Sequence, residues 1–207
     1  NPTIPSVTEA NNQGTYTLVV TDSVTGCSSL ANSVYVDIIP TPNAPSISAN
    51  SPLCEGEKLV LTASDVAGAT QYTWYGPADT IIGTTILPTF EVPNITVSLA
   101  GLYSVTVTVN GCTSPKSTTT VLVKPRPVAP IIVPDTVTIC ERGSVEICAT
   151  TPVTGAVYNW TSTTGFVSNG NCITISNATA SNAGKYFVSI TVDGCRSNED
   201  SVVVVVN

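Results

Sequence analysis

Stretches in which apolar and polar residues alternate dominate this chain, and the clearest of them runs from Ser98 to Cys112. It opens with a Gly-x-Tyr group, continues with small or polar residues that alternate with Val or Leu, and ends in Asn110-Gly111-Cys112. Alternation at a period of two predicts a strand with one buried face. The Asn-Gly pair predicts a tight hairpin turn directly after that strand.

The same pattern occurs three times. It returns from Ser181 to Cys195 and, in a looser form, from Gln13 to Cys27. Other landmarks keep a similar step of about 85 residues, namely Tyr16, Tyr103 and Tyr186, Cys54 and Cys140, and Trp74 and Trp160. A strand and turn copied at a fixed period indicate a tandem repeat protein.

The period divides the chain into three parts. We interpret residues 1–40 as the C-terminal part of a truncated repeat, 41–125 as a complete second repeat and 126–207 as a complete third repeat. Pro-rich connectors, which favour semi-rigid extended chain, lie at Pro40-Thr41-Pro42 and Pro125-Arg126-Pro127. Because the chain starts within a repeat and contains no Met, we expect it to be a piece of a longer protein.

The pattern predicts strands throughout and no long amphipathic helix, so we expect an all-β fold. The predicted strands are 15–21 and 33–39 in the truncated repeat; 46–49, 59–63, 72–74, 90–95, the strand of the 98–112 stretch and 118–123 in the second repeat; and 145–149, 157–160, 172–175, 185–192 and 201–206 in the third.

Charge and composition narrow the possible functions. Seven basic against 14 acidic residues give a net charge of −7, which argues against binding to nucleic-acid phosphates or to an anionic membrane. No apolar run is long enough to span a bilayer. The chain has no His, which removes His-based triads and His-containing metal sites. We expect no enzyme activity, no metal and no cofactor.

A Trp after an inward-facing strand, followed by Ala-Gly-x-Tyr on a late strand, resembles the immunoglobulin sandwich. The resemblance implies tandem β-sandwiches arranged as a linear stalk. It also implies that apolar residues replace the usual inter-sheet cysteines. The implied core residues are Leu61, Trp74, Tyr103, Val105, Ile147, Trp160, Tyr186 and Val188.

A narrower resemblance rests on L-C-E-G-E-K-L-V-L-T-A, Y-T-W-Y, G-L-Y-S-V-T-V and N-G-C-T-S. These motifs are similar to the Ig-like repeats of giant Bacteroidota cell-surface proteins, which are exported by type IX secretion and include flavobacterial gliding-motility adhesins. The resemblance implies an extracellular, cell-surface stalk of a filamentous adhesin that serves attachment or gliding. The implied partners are neighbouring repeats and, through other domains, a surface polysaccharide or the substratum.

The seven cysteines are expected to form structural disulfides, as in other proteins of oxidising compartments. Cys148 and Cys172 occur only in the third repeat, on neighbouring strands, and should bond to each other. In an immunoglobulin topology Cys54 and Cys112 lie at opposite ends of a domain. Cys54 should therefore pair with Cys195 of the next repeat, and three cysteines should pair outside the fragment: Cys27, Cys112 and Cys140.

A rival pairing remains open at this point. Bonds from Cys54 to Cys112 and from Cys140 to Cys195 would close each repeat on itself, but they need a non-standard first strand.

Four Asp-Ser or Asp-Thr pairs are each followed by an aliphatic residue. This pattern resembles the O-glycosylation sequon of Bacteroidota, and it implies a glycoprotein modified at Ser23, Thr80, Thr136 and Ser201.

Two other functions compete with the stalk. The repeats could themselves bind polysaccharide or protein, for which Tyr72 or Tyr75 beside Gly76-Pro77 is the local indication. They could also be accessory domains of a secreted enzyme. The turn carboxylates Glu55, Glu57, Glu141 and Glu146 form no recognisable acid–base pair.

Overall fold

The computed structural model of the protein describes residues 2–150 and 153–207, and strands make up most of its regular structure. Among these residues the only α-helix is α1 (Glu9–Asn12), and single 3₁₀ turns span Pro77–Asp79, Val97–Leu99 and Ala180–Asn182. No helix in the described part of the chain has the length and apolar character needed to cross a membrane.

The chain packs as two compact units. The first contains Asn1–Ala49, Val60–Phe90 and Leu102–Thr120, and the second contains Asn50–Leu59, Glu91–Gly101 and Val121–Asn207. Segments of the second repeat therefore belong to both units, whereas the whole third repeat belongs to one.

The first unit begins with an antiparallel hairpin of β1 (Gly14–Leu18) and β2 (Asn32–Val36). A three-stranded sheet follows in the order β3-β5-β8, where β3 is Ile47–Ala49, β5 is Leu59–Ala63 and β8 is Thr89–Val92. A second sheet has the order β10-β9-β6-β7, with β11 beside β9. Its strands are β6 (Ala69–Tyr75), β7 (Ile81–Thr85), β9 (Gly101–Val109), β10 (Cys112–Thr113) and β11 (Ser117–Val121).

The second unit contains a short parallel pair of β4 (Leu53–Cys54) and β12 (Val123–Lys124). Its largest sheet has the order β13-β20-β18-β15-β16, with β19 beside β18. An antiparallel pair, β14 and β17, makes the other sheet. The strands of these two sheets are β13 (Thr136–Ile139), β14 (Val145–Cys148), β15 (Val157–Ser162), β16 (Val167–Ser168), β17 (Cys172–Ile175), β18 (Gly184–Val192), β19 (Cys195–Arg196) and β20 (Asp200–Val206).

The two sheets of the third repeat share one hydrophobic core. Ile147 and Ile173 come from the small sheet, and Trp160, Val188 and Val202 come from the large one, yet all five belong to the same buried cluster. The alternating positions of each strand therefore pack between two sheets, as in the sandwich that the sequence analysis predicted.

The eight predicted core residues are all buried, with at most 4% of any side chain exposed. Tyr186 also anchors its strand, because its hydroxyl donates a hydrogen bond to the Asn182 carbonyl at 3.0 Å. Tyr16 makes the same bond to Asn12 at 2.8 Å in the truncated repeat. Burial raises the pKa of both Tyr103 and Tyr186 above the ordinary value for tyrosine.

The first strand of each complete repeat is divided in two, which the sequence analysis did not predict. In the second repeat β3 pairs antiparallel with β5, and after Pro52 the chain pairs parallel with β12 as β4. In the third repeat Ile132 bridges Ala149, and after Pro134 the chain pairs parallel with β20 as β13. Proline has no N–H to donate to a ladder, so it marks the point where one pairing ends.

We predict that two neighbouring valines of β20 differ sharply in their contribution to stability. Val202 is fully buried and Val203 is 40% exposed. Val202→Ala should lower the free energy of unfolding by about 1.5–3 kcal/mol, because it removes buried methyl groups. Val203→Ala, the matched control, loses the same β-propensity and should cost well under half as much. Urea unfolding measures both variants, and equal losses would contradict this core assignment.

Candidate functional site

The strongest candidate site is the junction between the second and third repeats. Cys54 is the last residue of β4, and its register partner on the parallel strand β12 is Lys124. Lys124 directly precedes the connector Pro125-Arg126-Pro127. Cys54 therefore lies where the chain leaves the second repeat.

A disulfide joins Cys54 to Cys195, with 5.5 Å between the two Cα atoms. Cys195 follows the Asp193-Gly194 turn, opens β19 and is only 1% exposed. This is the inter-repeat pair that the sequence analysis favoured, and the rival pair of Cys54 with Cys112 is not the one in the structure. The bond links two successive repeats across their Pro-rich connector.

Polar contacts surround this disulfide. The Lys124 ammonium donates to the Asp193 carbonyl at 2.7 Å, and the Arg126 guanidinium donates to Asn198 at 3.2 Å. The backbone N–H of Cys54 donates to the Glu57 carboxylate at 2.8 Å. These contacts hold the connector on the third repeat and give Glu57 a structural role.

Three further cysteines occupy positions equivalent to Cys54 or Cys195 and form no disulfide in the described chain. The chain after Cys140 has the same geometry as the chain after Cys54. The backbone N–H of Glu55 donates to the Lys124 carbonyl at 2.8 Å, and the backbone N–H of Glu141 donates to the Asn207 carbonyl at 2.7 Å. Cys140, Cys112 and Cys27 are free thiols in the described chain.

Cys112 is the second-repeat counterpart of Cys195. Its sulfur lies 3.7 Å from the carbonyl oxygen of Ile39. Ile39 precedes Lys124 by 85 positions, which is one repeat period, so it is the counterpart of Lys124 at the end of the truncated repeat. Cys140 therefore stands at the position of Cys54, and Cys112 stands at the position of Cys195.

The second disulfide, Cys148–Cys172, lies within the third repeat and joins residues that are directly opposite on β14 and β17. The Glu146 carboxylate is close to both sulfurs. Both sulfurs are in the disulfide, so neither is a thiolate that could bind a metal. Glu146, Cys148 and Cys172 therefore do not form an ordinary metal site.

The aromatic residues that suggested a sugar-binding face are not available for one. Tyr72 is fully buried, so its ring offers no stacking surface. The Lys116 ammonium covers the Tyr75 ring at 3.6 Å and also forms an ion pair with Asp79. The suggestion of a sugar site at these two tyrosines was wrong. Tyr72 lies two residues before the core residue Trp74 on the same strand, so both side chains are on its buried face.

The four predicted O-glycosylation positions have different surroundings. Ser23, Thr80 and Thr136 are exposed, and Ser201 is half-buried within β20. Asp22, the acidic residue beside Ser23, accepts hydrogen bonds from the backbone N–H groups of Thr25 and Val24, which lower the pKa of its carboxyl.

Asp200, the acidic residue beside Ser201, also has a structural role. Its carboxylate accepts hydrogen bonds at 2.8 Å from the backbone N–H groups of Ile132 and Ser201. Asp200 therefore ties the first segment of the third repeat to the start of β20, whatever the modification state of Ser201.

The sequence analysis missed a serine that locks each hairpin end. Two residues after each Gly-Cys pair, a Ser hydroxyl accepts a backbone hydrogen bond from the preceding strand and donates to the carbonyl of the next residue. The three residues are Ser29, Ser114 and Ser197. The signal was present as Gly-Cys-x-Ser in all three copies.

Comparison with protein families gives a clear assignment. A family profile described as "Ig-like domain CHU_C associated" matches residues 42–125 and again residues 127–207. The chain belongs to this Ig-like domain family. Domains of this family occur in Bacteroidota-type proteins, and this chain carries two of them in tandem. No curated protein matches the chain.

Solved structures similar to this chain are Ig-fold proteins. The titin I-band fragment I67–I69 is 16% identical, with a TM-score of 0.42, and the match covers 97% of this chain and 76% of that one. Three N-terminal domains of the outer capsid protein Hoc of bacteriophage RB49 are 21% identical (TM-score 0.40), with coverage of 79% and 59%. Murine CEACAM1b is 18% identical (TM-score 0.37), with coverage of 78% and 100%. Similarity at this level concerns the fold alone.

We predict a tryptic map that separates the two disulfide pairings. Trypsin does not cut before proline, so the sites after Lys124 and Arg126 are blocked. The fragments are 1–58, 59–116, 117–142, 143–185, 186–196 and 197–207. Without reductant, 1–58 should be linked to 186–196, and 143–185 should carry an internal bond. Mass spectrometry before and after reduction measures both.

Fragment 1–58 contains Cys27 as well as Cys54, so Cys27→Ser is the control and should leave the linked pair unchanged. Recovery of 1–58 linked to 59–116, together with 117–142 linked to 186–196, would establish the rival pairing instead.

Proposed function

We propose that this chain is a stalk segment of a large filamentous cell-surface adhesin. Its repeats would hold a distal region away from the cell for surface attachment or gliding motility. The observation that carries the proposal is the Cys54–Cys195 disulfide, which links successive repeats at their connector. In an array where each repeat contacts only its neighbours, length and stiffness are set at the junctions.

Three properties of the junction support a mechanical role. The disulfide prevents separation of the two repeats even if their non-covalent contacts break. The connector has prolines on both sides of Arg126, which restrict its backbone. The hydrogen bonds of Lys124 and Arg126 hold the connector to the third repeat.

The free cysteines extend the same interpretation. Cys140 is the counterpart of Cys54, and Cys112 and Cys27 are counterparts of Cys195. Each would bond to a further repeat of the parent protein, so that every junction carries one disulfide. Because such bonds persist in oxidising environments, the proposed location is extracellular, at the cell surface, after type IX secretion.

We also propose that Ser23, Thr80, Thr136 and Ser201 carry O-glycans in the native host. The support is the Asp-Ser/Thr-aliphatic pattern and the exposure of the first three residues. Peptide mass spectrometry of native protein should find added hexose masses on these four residues. Unmodified masses at all four positions would reject the proposal.

The stalk proposal predicts that the inter-repeat disulfide restricts bending between the repeats. Nitroxide amino acids are encoded at Thr84 and Thr174, which are exposed positions on β7 and β17. The distance distribution between them, measured by pulsed EPR, should be narrow in the unmodified chain. It should broaden in the double variant Cys54→Ser/Cys195→Ser, because the repeats then pivot about the connector.

The matched control removes the disulfide within the third repeat by Cys148→Ser/Cys172→Ser, and it should leave the distribution unchanged. A distribution that is equally broad with and without Cys54–Cys195 would show that this bond does not stiffen the junction.

A further inference from the structure

A polar cleft lies on the outer face of the large sheet of the third repeat. It has a volume of about 340 Å³, and its side chains come from four strands and one loop. Tyr158 and Trp160 of β15 point into the core, so the residues that alternate with them face outward. The side chains that form this outer cleft are Asn159, Thr161, Val167, Asn169, Thr191 and Arg196.

Hydrogen bonds fix Asn159 in one orientation. Its amide nitrogen donates to the Val157 carbonyl and to the Thr191 hydroxyl, both at 3.2 Å. Both amide hydrogens are then used, and the side-chain oxygen has no partner among the residues that the structure describes. The outer cleft therefore presents a pre-oriented acceptor.

Hydrogen bonds also fix the orientation of the Arg196 side chain in the outer cleft. Its Nε donates to the Ser189 hydroxyl at 2.8 Å, and Ser189 is itself fully buried. One terminal nitrogen donates to Glu199 at 2.6 Å. The other terminal nitrogen has no partner within residues 2–150 and 153–207, so it offers donors from a side chain that is already ordered.

The other residues of the outer cleft include both polar and apolar side chains. The Asn169 amide has no hydrogen-bond partner among the described residues and can both donate and accept. Val167 is 75% exposed and adds an apolar surface beside these polar groups. Fixed acceptors and donors around a small apolar patch match a sugar ring, which presents hydroxyl groups at its edge and C–H groups on its faces.

The charges at the outer cleft and on the whole chain favour a neutral sugar over an acidic one. The Arg196 guanidinium is already paired with Glu199, and the whole chain carries a net charge of −7. Both features disfavour a carboxylated or sulfated sugar. A neutral sugar uses the available donors and acceptors without adding negative charge.

The fold does not require these polar residues. In the second repeat the position of Asn159 is Thr73 and that of Arg196 is Thr113. There the Thr113 hydroxyl contacts the Thr108 hydroxyl at 3.3 Å, yet the strands and the core are equivalent. The polar network of the outer cleft is therefore specific to the third repeat.

We propose that the outer cleft of the third repeat binds a neutral hexose unit of a polysaccharide. This activity is additional to the stalk role and does not depend on it. Because the cleft is shallow and lacks an exposed aromatic ring, we expect weak binding, with a Kd on the order of 1 mM.

The test is an NMR titration of the full chain, labelled with nitrogen-15. The probes are neutral tetrasaccharides of glucose, mannose, galactose and N-acetylglucosamine, with a galacturonic acid tetrasaccharide as the acidic comparison. At least one neutral probe should shift the side-chain amide signals of Asn159 and Asn169 and the Nε signal of Arg196, with saturation.

Two variants replace residues of the outer cleft with those of the second repeat, which preserves the fold. Arg196→Thr should weaken binding at least about tenfold, because it removes charge-assisted hydrogen bonds. Asn159→Thr should weaken it by a smaller factor. The control Lys185→Thr, on β18 outside the cleft, should bind as the unmodified chain does, and the backbone spectrum reports whether each variant is folded.

Three results would overturn the proposal. The first is the absence of saturable shifts with every neutral probe. The second is equal binding by Arg196→Thr and the unmodified chain. The third is tighter binding of the galacturonic acid probe than of all neutral ones, which would reject the neutral sugar class.

Discussion

The register of the strand that carries the corner tyrosine is the constraint on which the rest of the structure depends. In β18 every second residue from Tyr186 to Ile190 is at most 1% exposed, and the strand lies between β15 and β20. A slip of one residue would turn Lys185 and Phe187 into the core and move all of these side chains to the other face. The register therefore cannot change without losing the sandwich, and it fixes where both ends of the strand lie.

That register also explains why Cys140 and Cys195 of the third repeat do not pair with each other. The nine residues of β18 span about 30 Å at 3.3 Å per residue. Cys195 follows one end of this strand, whereas Cys140 lies beside Asn207 at the end of β20, which runs antiparallel to β18. A disulfide needs Cα atoms within about 7 Å. The strand length thus separates Cys195 from Cys140, and Cys195 bonds to Cys54 of the second repeat instead.

Much of the fold could be predicted from the sequence, because alternation reports directly on the buried face of a strand. The long strands follow from this alternation, and the hairpin turns follow from the Gly-containing pairs after them. The eight core residues needed the resemblance to the immunoglobulin sandwich as well. The strands β7 and β16 were not predicted, since a strand as short as Val167–Ser168 carries no periodicity. The split first strand was also missed, because its two pairing partners are distant in sequence. The burial of Tyr72 was within reach of the pattern, because it alternates with Trp74 on β6. The outer cleft was not, because it depends on side-chain contacts between strands, which a linear pattern does not encode.

The two complete repeats show which positions the fold controls and which it leaves free. Their inner faces carry equivalent Trp, Tyr and Val residues, because each must fill the same space between two sheets. Their outer faces differ: Lys116 covers Tyr75 in the second repeat, whereas Arg196 and Asn159 frame an open cleft in the third. An outward side chain can change without disturbing the core, so a repeat array can keep one architecture while single repeats gain separate surfaces. Any binding specificity of this chain must therefore be sought on its outer faces, where the copies have diverged.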